Sequence, residues 1–333
     1  GHAGTAAASL LGLDQPSAQT PAPEFTRSGT KPVSAATAPL AEDSFHSPYR
    51  LAGDELIMLD QRGIPERLDE VAARRGSDVA YYLRIGVSRG GARMAQEAAY
   101  GLALTAAERA GHDHSARVIE LRRTRGALIE ARPSSRLIRW AMSRTERAVA
   151  RLGEEADGAA IAAAVRSEAD AIAGAVQAAN AAIADTLAAS LPDPEGRPLG
   201  LLIHGDQGVL GGGLLGTTTV ALRRLRDRGR ELRIFITEGR PFMDGARVAS
   251  WELRQAGLDH KVLADGAVAW LLAREAIDVV LIGAEWIAAN GDVGAVVGSR
   301  AVAQQAAAAG EGETAPRLIV SGLRASIDLE TAT

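Results

Sequence analysis

The 333-residue sequence contains no cysteine. This absence excludes disulfide bonds, thiolate nucleophiles, and zinc or iron–sulfur sites held by cysteine. Positive charge is not in excess either, because 37 Lys and Arg residues stand against 41 Asp and Glu residues. A nucleic-acid-binding protein that relies on phosphate contacts is therefore disfavoured.

Long hydrophobic runs are also missing, and apolar stretches such as 267–273 are far too short to span a membrane. No basic start followed by an apolar core is present, so we expect no signal peptide. These features favour a cytoplasmic protein that has no membrane partner.

The N-terminal segment differs in composition from the rest of the chain. Six of the 13 prolines fall within residues 1–48, among Ala, Ser and Thr residues. Such a segment has little apolar surface to bury, so we predict a disordered extension over residues 1–47. Beyond it the sequence predicts a strand at 56–59 and helices at 77–110, 115–123, 134–152 and 158–191.

The second half of the chain alternates between short apolar runs and helical patterns. Strands are predicted at 201–204, 232–237, 261–264, 279–282 and 318–321, separated by helices at 217–228, 246–256, 268–275 and 299–309. This alternation is typical of βαβ units on a parallel sheet. Ligands of such sheets bind at the carboxyl ends of the strands, so the loops there are the expected site.

A glycine-rich loop at 211–216 fits the G-x-G-x-x-G pattern of dinucleotide-binding proteins. Six residues separate His204, at the end of the preceding strand, from Gly211, whereas the dinucleotide pattern begins directly after its strand. We therefore disfavour a dinucleotide oxidoreductase. Two interpretations remain open: Gly213 and Gly216 belong to an anion-binding loop at a helix N-terminus, or the loop binds nothing.

Polar residues follow several of the predicted strands. His204 and Asp206 are placed for acid–base chemistry, although a hydrogen-bonded His and a turn-capping Asp would give the same pattern. Arg240 follows the next strand, where it would either bind a phosphate or carboxylate of a ligand or pair with a nearby acid on the surface. Glu285 follows a buried strand, where it would be a desolvated acid or a capping residue. The His-Asp-His run at 112–114 lacks a third ligand, so we predict no metal site.

Several short motifs resemble those of the methylthioribose-1-phosphate isomerase family. This family also includes ribose-1,5-bisphosphate isomerases and the regulatory alpha, beta and delta subunits of the eukaryotic guanine-nucleotide exchange factor for initiation. The resemblance runs from about Tyr49 to Leu329. The motifs are Leu59-Asp60-Gln61, Ser88-Arg89-Gly90-Gly91, Ala98-Ala99-Tyr100-Gly101, Arg132-Pro133-Ser134, Gly245-Ala246-Arg247, Trp251-Glu252-Leu253, Ile-Ala-Ala-Asn-Gly-Asp-Val at 287–293, and Ser-Ile-Asp-Leu at 326–329.

The resemblance implies a helix-rich N-terminal α/β domain, assigned here to residues 48–152, and a C-terminal Rossmann-like parallel-sheet domain at 153–333. It also implies a homodimer. Nothing in the sequence indicates a bound metal or organic cofactor, so we expect none. Arg89 and Arg132 correspond to arginines that bind the substrate phosphate in the family. We predict substrate or phosphate binding by Arg89, Gly90, Arg132, Gly213, Gly216, Asp244 and Asn290.

The sequence departs from the isomerases at positions that matter for chemistry. Their His-Cys-Asn, whose cysteine is implied in proton transfer, is replaced here by His-Gly-Asp with Gly205 in the middle. The aspartate of their Gly-Ala-Asp-Arg is lengthened to Glu285. A glutamine becomes Asp244, and an Asn-Lys pair becomes Ala295 and Val296. We therefore expect negligible activity on methylthioribose 1-phosphate itself.

The function expected from these observations is proton transfer on a small phosphorylated sugar or a related anionic metabolite, of the aldose–ketose isomerase or lyase type. The predicted catalytic residues are Asp206, Glu285 and His204. The alternative is a non-catalytic ligand-binding or regulatory protein of the same family, which the missing thiol favours. Retention of Arg89 and Arg132 favours the enzyme.

Overall fold

The computed structural model describes residues 47–153, 155–310 and 315–330. The predicted extension over residues 1–47 lies outside this part of the chain except for Ser47. The described residues belong to one compact unit. They combine α-helices with a parallel sheet, which confirms the predicted α/β fold class.

An antiparallel three-stranded sheet precedes the helices, in the order β1-β2-β3. Its strands are β1 (Tyr49–Ala52), β2 (Glu55–Leu59) and β3 (Glu70–Ala73). In β2, Leu56 and Met58 are fully buried, while the other three residues of the strand are partly exposed. This alternation is expected when one face of a strand packs on a core, and the strand predicted here is confirmed.

The single helix predicted at 77–110 is wrong, because the structure has two helices there. They are α1 (Gly76–Ile85) and α2 (Gly91–Glu108). Gly86 ends α1 in the left-handed region at φ +81°, and Gly90 precedes α2 at φ +94°. Glycine adopts these angles at little cost, so the chain turns sharply between two helical patterns that read as continuous.

Three further helices complete the N-terminal half: α3 (His114–Ala131), α4 (Arg136–Ala150) and α5 (Gly158–Ser190). Each is capped at its N-terminus by a side-chain oxygen that accepts a backbone N–H of the first turn. The capping residues are Asp113, Ser135 and Asp157 respectively. Helix α3 is longer than the predicted 115–123. It continues through Gly126 and ends at Ala131, ahead of Pro133, which disfavours helical geometry in the residue that precedes it.

Helix α5 contributes to both hydrophobic cores. Ile161 and Ile172 pack in the core of the helical half, while Ala184 and Leu187 pack in a core of the parallel sheet. By length and composition α5 is also apolar enough to cross a membrane, with a mean hydropathy of 1.2. The apolar residues of α5 that pack in the two cores account for this composition, as expected for a core helix. The proposed domain boundary at residue 152 stays a prediction.

The C-terminal half is built on five parallel strands in the order β10-β7-β4-β5-β6. The central strand is buried along its whole length, because apolar clusters cover both faces of the sheet. All five predicted strands are confirmed to within two residues: β4 (Leu199–His204), β5 (Leu232–Thr237), β6 (His260–Leu263), β7 (Val279–Gly283) and β10 (Arg317–Ser321).

The helices between these strands follow the predicted order, with two differences. The predicted helix 246–256 begins as a π-helical turn, and a short helix forms inside the glycine-rich loop. The elements are α6 (Val209–Gly212), α7 (Thr218–Asp227), the π turn Gly245–Ala249, α8 (Ser250–Gln255), α9 (Val268–Leu272) and α10 (Ser299–Ala308).

A second small sheet beside the parallel sheet was not predicted. It has the order β11-β8-β9, formed by β8 (Trp286–Ala288), β9 (Val293–Gly294) and β11 (Ile327–Asp328). Strands of two or three residues are too short to produce a readable alternation.

The order of the parallel strands positions the site. From β4 the chain continues to β5 and β6 on one side, and then returns to place β7 and β10 on the other. The strand order therefore reverses beside β4, and a crevice forms outside the carboxyl ends of β4 and β7. Asp206 follows β4 and Glu285 follows β7, so the topology brings the two carboxyl groups to one edge.

Candidate active site

A cavity of about 700 Å³ opens at this edge of the sheet. It is lined by the loops that precede α2 and α4 and by the loops that follow β4, β5, β7 and β9. A smaller cavity of about 100 Å³ also includes Gly90, Asp206 and Glu285 in its lining. The larger cavity thus brings together six sequence-predicted site residues: Arg89, Gly90, Arg132, Asp206, Asp244 and Glu285. A seventh, His204, lines the smaller cavity.

Arg89 is held firmly beside the cavity. Its backbone N–H donates to Oε1 of Gln61 at 3.1 Å, and its Nε donates to Oδ2 of Asp244 at 2.9 Å. The guanidinium also lies 3.6 Å from the ring centroid of Phe242, a cation–π contact. Arg89 therefore faces the cavity with part of its charge already paired.

Arg132 has donor capacity to spare. It follows the last residue of α3 and lines the larger cavity, and its buried Nε has no hydrogen-bond partner among the described residues. Burial and the nearby charge of Arg89 lower the pKa of Arg132, while Glu285 and Asp244 oppose the shift. A buried N–H group without a partner is costly, so a bound anion would satisfy it.

Glu285 lies against the N-terminus of α2. A Cβ atom at Gly91 would be 2.9 Å from Oε2 of Glu285, so a side chain there would displace the carboxyl group. Burial raises the pKa of Glu285, against the lowering effects of Arg89, Arg132 and the Gly91 N–H. A carboxyl group with a raised pKa holds a proton nearer neutral pH, which suits a general acid.

Asp206 is the second carboxyl group of the cavity. Its Oδ1 accepts the N–H of Gly208 at 3.0 Å. The carboxyl group of Glu252 lies beside the same glycine, where a Cβ would be 2.0 Å from Oε2 of Glu252. Burial is the largest effect on Asp206 and raises its pKa. The site therefore contains two carboxyl groups from different strand ends, both of which bind protons more tightly than an exposed acid.

The geometry does not favour the prediction that His204 is a base. Its side chain is fully buried, and Nε2 lies 3.0 Å from the carbonyl oxygen of Val297. Because a carbonyl only accepts, Nε2 carries the hydrogen, and Nδ1 accepts from Oγ1 of Thr237 at 2.7 Å. Burial also lowers the pKa of His204. The neutral ring has no free lone pair with which to accept a substrate proton. Its two hydrogen bonds instead join the ends of β4 and β5 to the loop before α10.

The glycine-rich loop is a packing element rather than an anion cradle at the two positions predicted. Gly213 and Gly216 line neither cavity. A Cβ at Gly213 would lie 2.2 Å from Nε2 of Gln96, and one at Gly216 would lie 2.6 Å from the Gly208 backbone. The glycines are required because these segments approach closely.

Asn290 also lies apart from both cavities. It is exposed and exchanges hydrogen bonds with Asp292 in the turn between β8 and β9. In the run at 112–114, Asp113 caps α3 by accepting the Ala116 N–H at 2.9 Å. Across the described residues, no group of three His, Cys, Asp or Glu side chains is arranged to hold a metal ion.

Sequence reasoning missed two residues at the site. Glu252 is fully buried on α8 beside Asp206, although its motif was noted as a family resemblance. Arg136 lines the larger cavity and pairs with Oδ2 of Asp328 at 2.7 Å. The position of Glu252 beside Asp206 and the pairing of Arg136 with Asp328 both join residues far apart in sequence. A local sequence pattern therefore does not predict either contact.

Comparison with known proteins identifies the family. The profile of the initiation factor 2 subunit family matches residues 87–311. The chain is 36% identical over 253 residues to a methylthioribose-1-phosphate isomerase from Chloroflexus aurantiacus, covering 75% of this chain and 71% of that protein. It is 33% identical over 286 residues to the same-named protein of Pseudomonas putida, covering 85% and 77%.

Solved structures show the same fold. The 5-methylthioribose 1-phosphate isomerase of Pyrococcus horikoshii superposes with a TM-score of 0.75 at 25% identity, covering 86% of this chain and 77% of that one. Subunit delta of translation initiation factor eIF-2B from A. fulgidus gives 0.70 at 23% identity, covering 86% and 80%. The chain therefore belongs to the initiation factor 2 subunit family, and its relatives over most of its length are named methylthioribose-1-phosphate isomerases.

Proposed function

We propose that this chain is an enzyme that carries out aldose–ketose proton transfer on a small phosphorylated sugar or a related anionic metabolite. The observation that carries the proposal is the combination of groups around one cavity. Two carboxyl groups with raised pKa, Asp206 and Glu285, line it together with Arg132 and its unpaired N–H. The relatives named isomerases support the reaction class.

The anionic end of the substrate binds at the arginines. Arg132 supplies a donor that no described residue uses, and Arg89 lies close enough to influence its pKa. Arginine presents several N–H groups in a planar fork that matches phosphate oxygens. The N-terminus of α2, where Glu285 also lies, adds the positive end of an 18-residue helix.

The two carboxyl groups supply the proton chemistry. Conversion of an aldose into its ketose isomer removes a hydrogen at C2 and adds one at C1, with no net uptake or release of protons. One group must therefore accept a proton while another donates one, and the two must exchange states during a turnover. Asp206 and Glu285 fulfil these roles, with the neighbouring Arg89 and Arg132 stabilising negative charge that develops on the sugar oxygens.

The substrate differs from methylthioribose 1-phosphate. The isomerases resembled by this chain carry a cysteine where this sequence has Gly205. Gly205 has φ +89°, and a Cβ there would lie 3.2 Å from Cγ2 of Val296. This position therefore lacks the thiol, and its positive φ angle disfavours any residue that has a side chain. Asp244 adds a negative charge where the isomerases have a neutral amide.

The second candidate is a non-catalytic protein that binds a similar ligand. The ion pair between Arg89 and Asp244 favours it, because a carboxylate already occupies part of the donor set expected to hold substrate. The missing thiol favours it as well. The two candidates share the anion site and differ only in proton transfer.

The test is a panel of aldose 1-phosphates that includes methylthioribose 1-phosphate, with ketose formation followed by nuclear magnetic resonance. We expect turnover of at least one other sugar phosphate, negligible turnover of methylthioribose 1-phosphate, and loss of turnover in Glu285→Gln. Binding of sugar phosphates without any turnover would support the non-catalytic candidate. Robust turnover of methylthioribose 1-phosphate would contradict the proposed change of substrate.

A further inference from the structure

Glu252 is a buried acid that the proposed chemistry does not use directly. Its side chain is fully buried on α8. One backbone N–H at the start of α6 bonds its carboxyl group, because Leu210 donates to Oε1 at 2.9 Å. Its other oxygen, Oε2, meets no N–H or O–H donor among the described residues.

The carboxyl groups of Glu252 and Asp206 meet at Gly208. The Gly208 N–H donates to Oδ1 of Asp206 at 3.0 Å, and a Cβ on Gly208 would lie 2.0 Å from Oε2 of Glu252. A hydrogen bond between two carboxyl groups requires a proton on one of them, because two carboxylates only accept and repel each other in a buried site. The surroundings identify which group holds it. Glu252 is fully buried, whereas Asp206 is partly exposed and lines the cavity, so the negative charge is better solvated on Asp206 and the proton stays on Glu252. Oε1 of Glu252 already accepts the Leu210 N–H, which leaves Oε2 as the hydroxyl that donates to Asp206.

The other charges near Glu252 and Asp206 do not remove the need for a proton on one of the two. Asp244 adds negative charge near Asp206, whereas Arg93 adds positive charge. Arg93 is fully buried and donates from Nε to Glu97 at 2.7 Å, so its charge is largely paired elsewhere. The pair therefore carries one proton and one negative charge, and the negative charge lies on the residue that lines the cavity.

We propose that Glu252 is a positioning residue that stays protonated and donates a hydrogen bond to Asp206, holding the Asp206 carboxylate ionised and aimed at the substrate. The part of this inference that concerns substrate rests on the proposed function. The shared proton itself does not, because it exists in the protein without ligand. Glu252 lines neither cavity, so its own proton stays within the pair.

Infrared spectroscopy of the ligand-free protein tests the shared proton. A protonated carboxyl group gives a carbonyl stretch that is separate from the carboxylate bands. We expect the wild-type protein to keep such a band at pH values where exposed acids are fully ionised, and Glu252→Gln to lose it. Because Glu285 also has a raised pKa, Glu285→Gln serves as the control and should retain the Glu252 band. Identical spectra of wild type and Glu252→Gln would overturn the inference.

A pH profile of turnover tests the positioning role once a substrate is known. Glutamine keeps an N–H donor for Asp206, so Glu252→Gln should retain activity within about tenfold at neutral pH. Glu252→Met lacks the donor, so the acid limb of its profile should move to higher pH as Asp206 becomes harder to ionise. Matching acid limbs in the two variants would contradict the role. If no sugar phosphate is turned over, the proposed function fails, and the infrared result still decides the shared proton.

Discussion

Nε of Arg89 and Oδ2 of Asp244 lie 2.9 Å apart and join positions separated by 155 residues. Both side chains are about one quarter exposed. The ion pair places an internal carboxylate on the arginine that the family resemblance assigns to the substrate phosphate. A bound phosphate and Asp244 therefore compete for the same donor.

Asp244→Asn should strengthen binding of inorganic phosphate, because the substitution removes the competing charge. Since the pair is partly exposed and screened, we expect a gain of roughly 3- to 10-fold rather than the full effect of a buried pair. Isothermal titration calorimetry measures the affinity. The matched control is Asp185→Asn, which removes a carboxylate that is 67% exposed and pairs with Arg224. Unchanged or weaker binding in Asp244→Asn would count against competition.

Arg132→Ala should weaken phosphate binding by about 10- to 100-fold, the range for a charged hydrogen bond of roughly 1.5–3 kcal/mol. The expectation rests on the buried Nε, which lacks a partner among the described residues. Arg122→Ala, at an exposed position on α3, the helix that precedes Arg132, is the control and should bind as wild type does. Wild-type affinity in Arg132→Ala would show that the anion binds elsewhere.

Gly205→Cys should not restore a methylthioribose-1-phosphate isomerase. At φ +89° a side chain is strained, so we expect a loss of about 1–3 kcal/mol in the free energy of unfolding, measured by urea denaturation. Gly174→Ala is the control: Gly174 lies within α5 with open space around it, and alanine should stabilise by roughly 0.5–1 kcal/mol. Appearance of isomerase activity in Gly205→Cys would mean that the missing thiol alone separates this chain from its relatives.

Stability should depend on pH through Glu252. Burial and the neighbouring Asp206 raise the pKa of Glu252 well above the ordinary value of 4.5. Between 4.5 and that raised value the folded state binds more protons than the unfolded state, so the free energy of unfolding falls as pH rises. In Glu252→Gln the decline should be shallower. Chemical denaturation across the pH range measures both slopes, and parallel curves would contradict the raised pKa.

Much of the architecture was predictable because its signals are local. The five parallel strands are continuous apolar runs, and parallel strands present their carboxyl ends at one edge of the sheet. That rule alone was sufficient to place Asp206 and Glu285 at a common site. The break between α1 and α2 was less visible, because it rests on the positive φ angles of Gly86 and Gly90 between two helices whose patterns run together.

The contacts that define the chemistry come from residues far apart in sequence. The tautomer of His204 is set by the carbonyl of Val297, and the proton on Glu252 is required only because Asp206 lies beside it. Gly213 was interpreted as an anion ligand, yet its space is taken by the side chain of Gln96. No spacing or composition rule reports such tertiary neighbours, so sequence reasoning identified the edge of the sheet and not the roles within it.

The most direct test of the central claim is exchange of the C2 hydrogen of a bound sugar phosphate with deuterated solvent, followed by proton magnetic resonance. The account predicts that the wild-type protein exchanges this hydrogen, that Asp206→Asn and Glu285→Gln each lower the exchange rate at least about tenfold, and that His204→Asn, if folded, retains more of the rate than either. Exchange that survives both carboxyl substitutions, or its absence with every sugar phosphate that binds, would contradict proton transfer by Asp206 and Glu285.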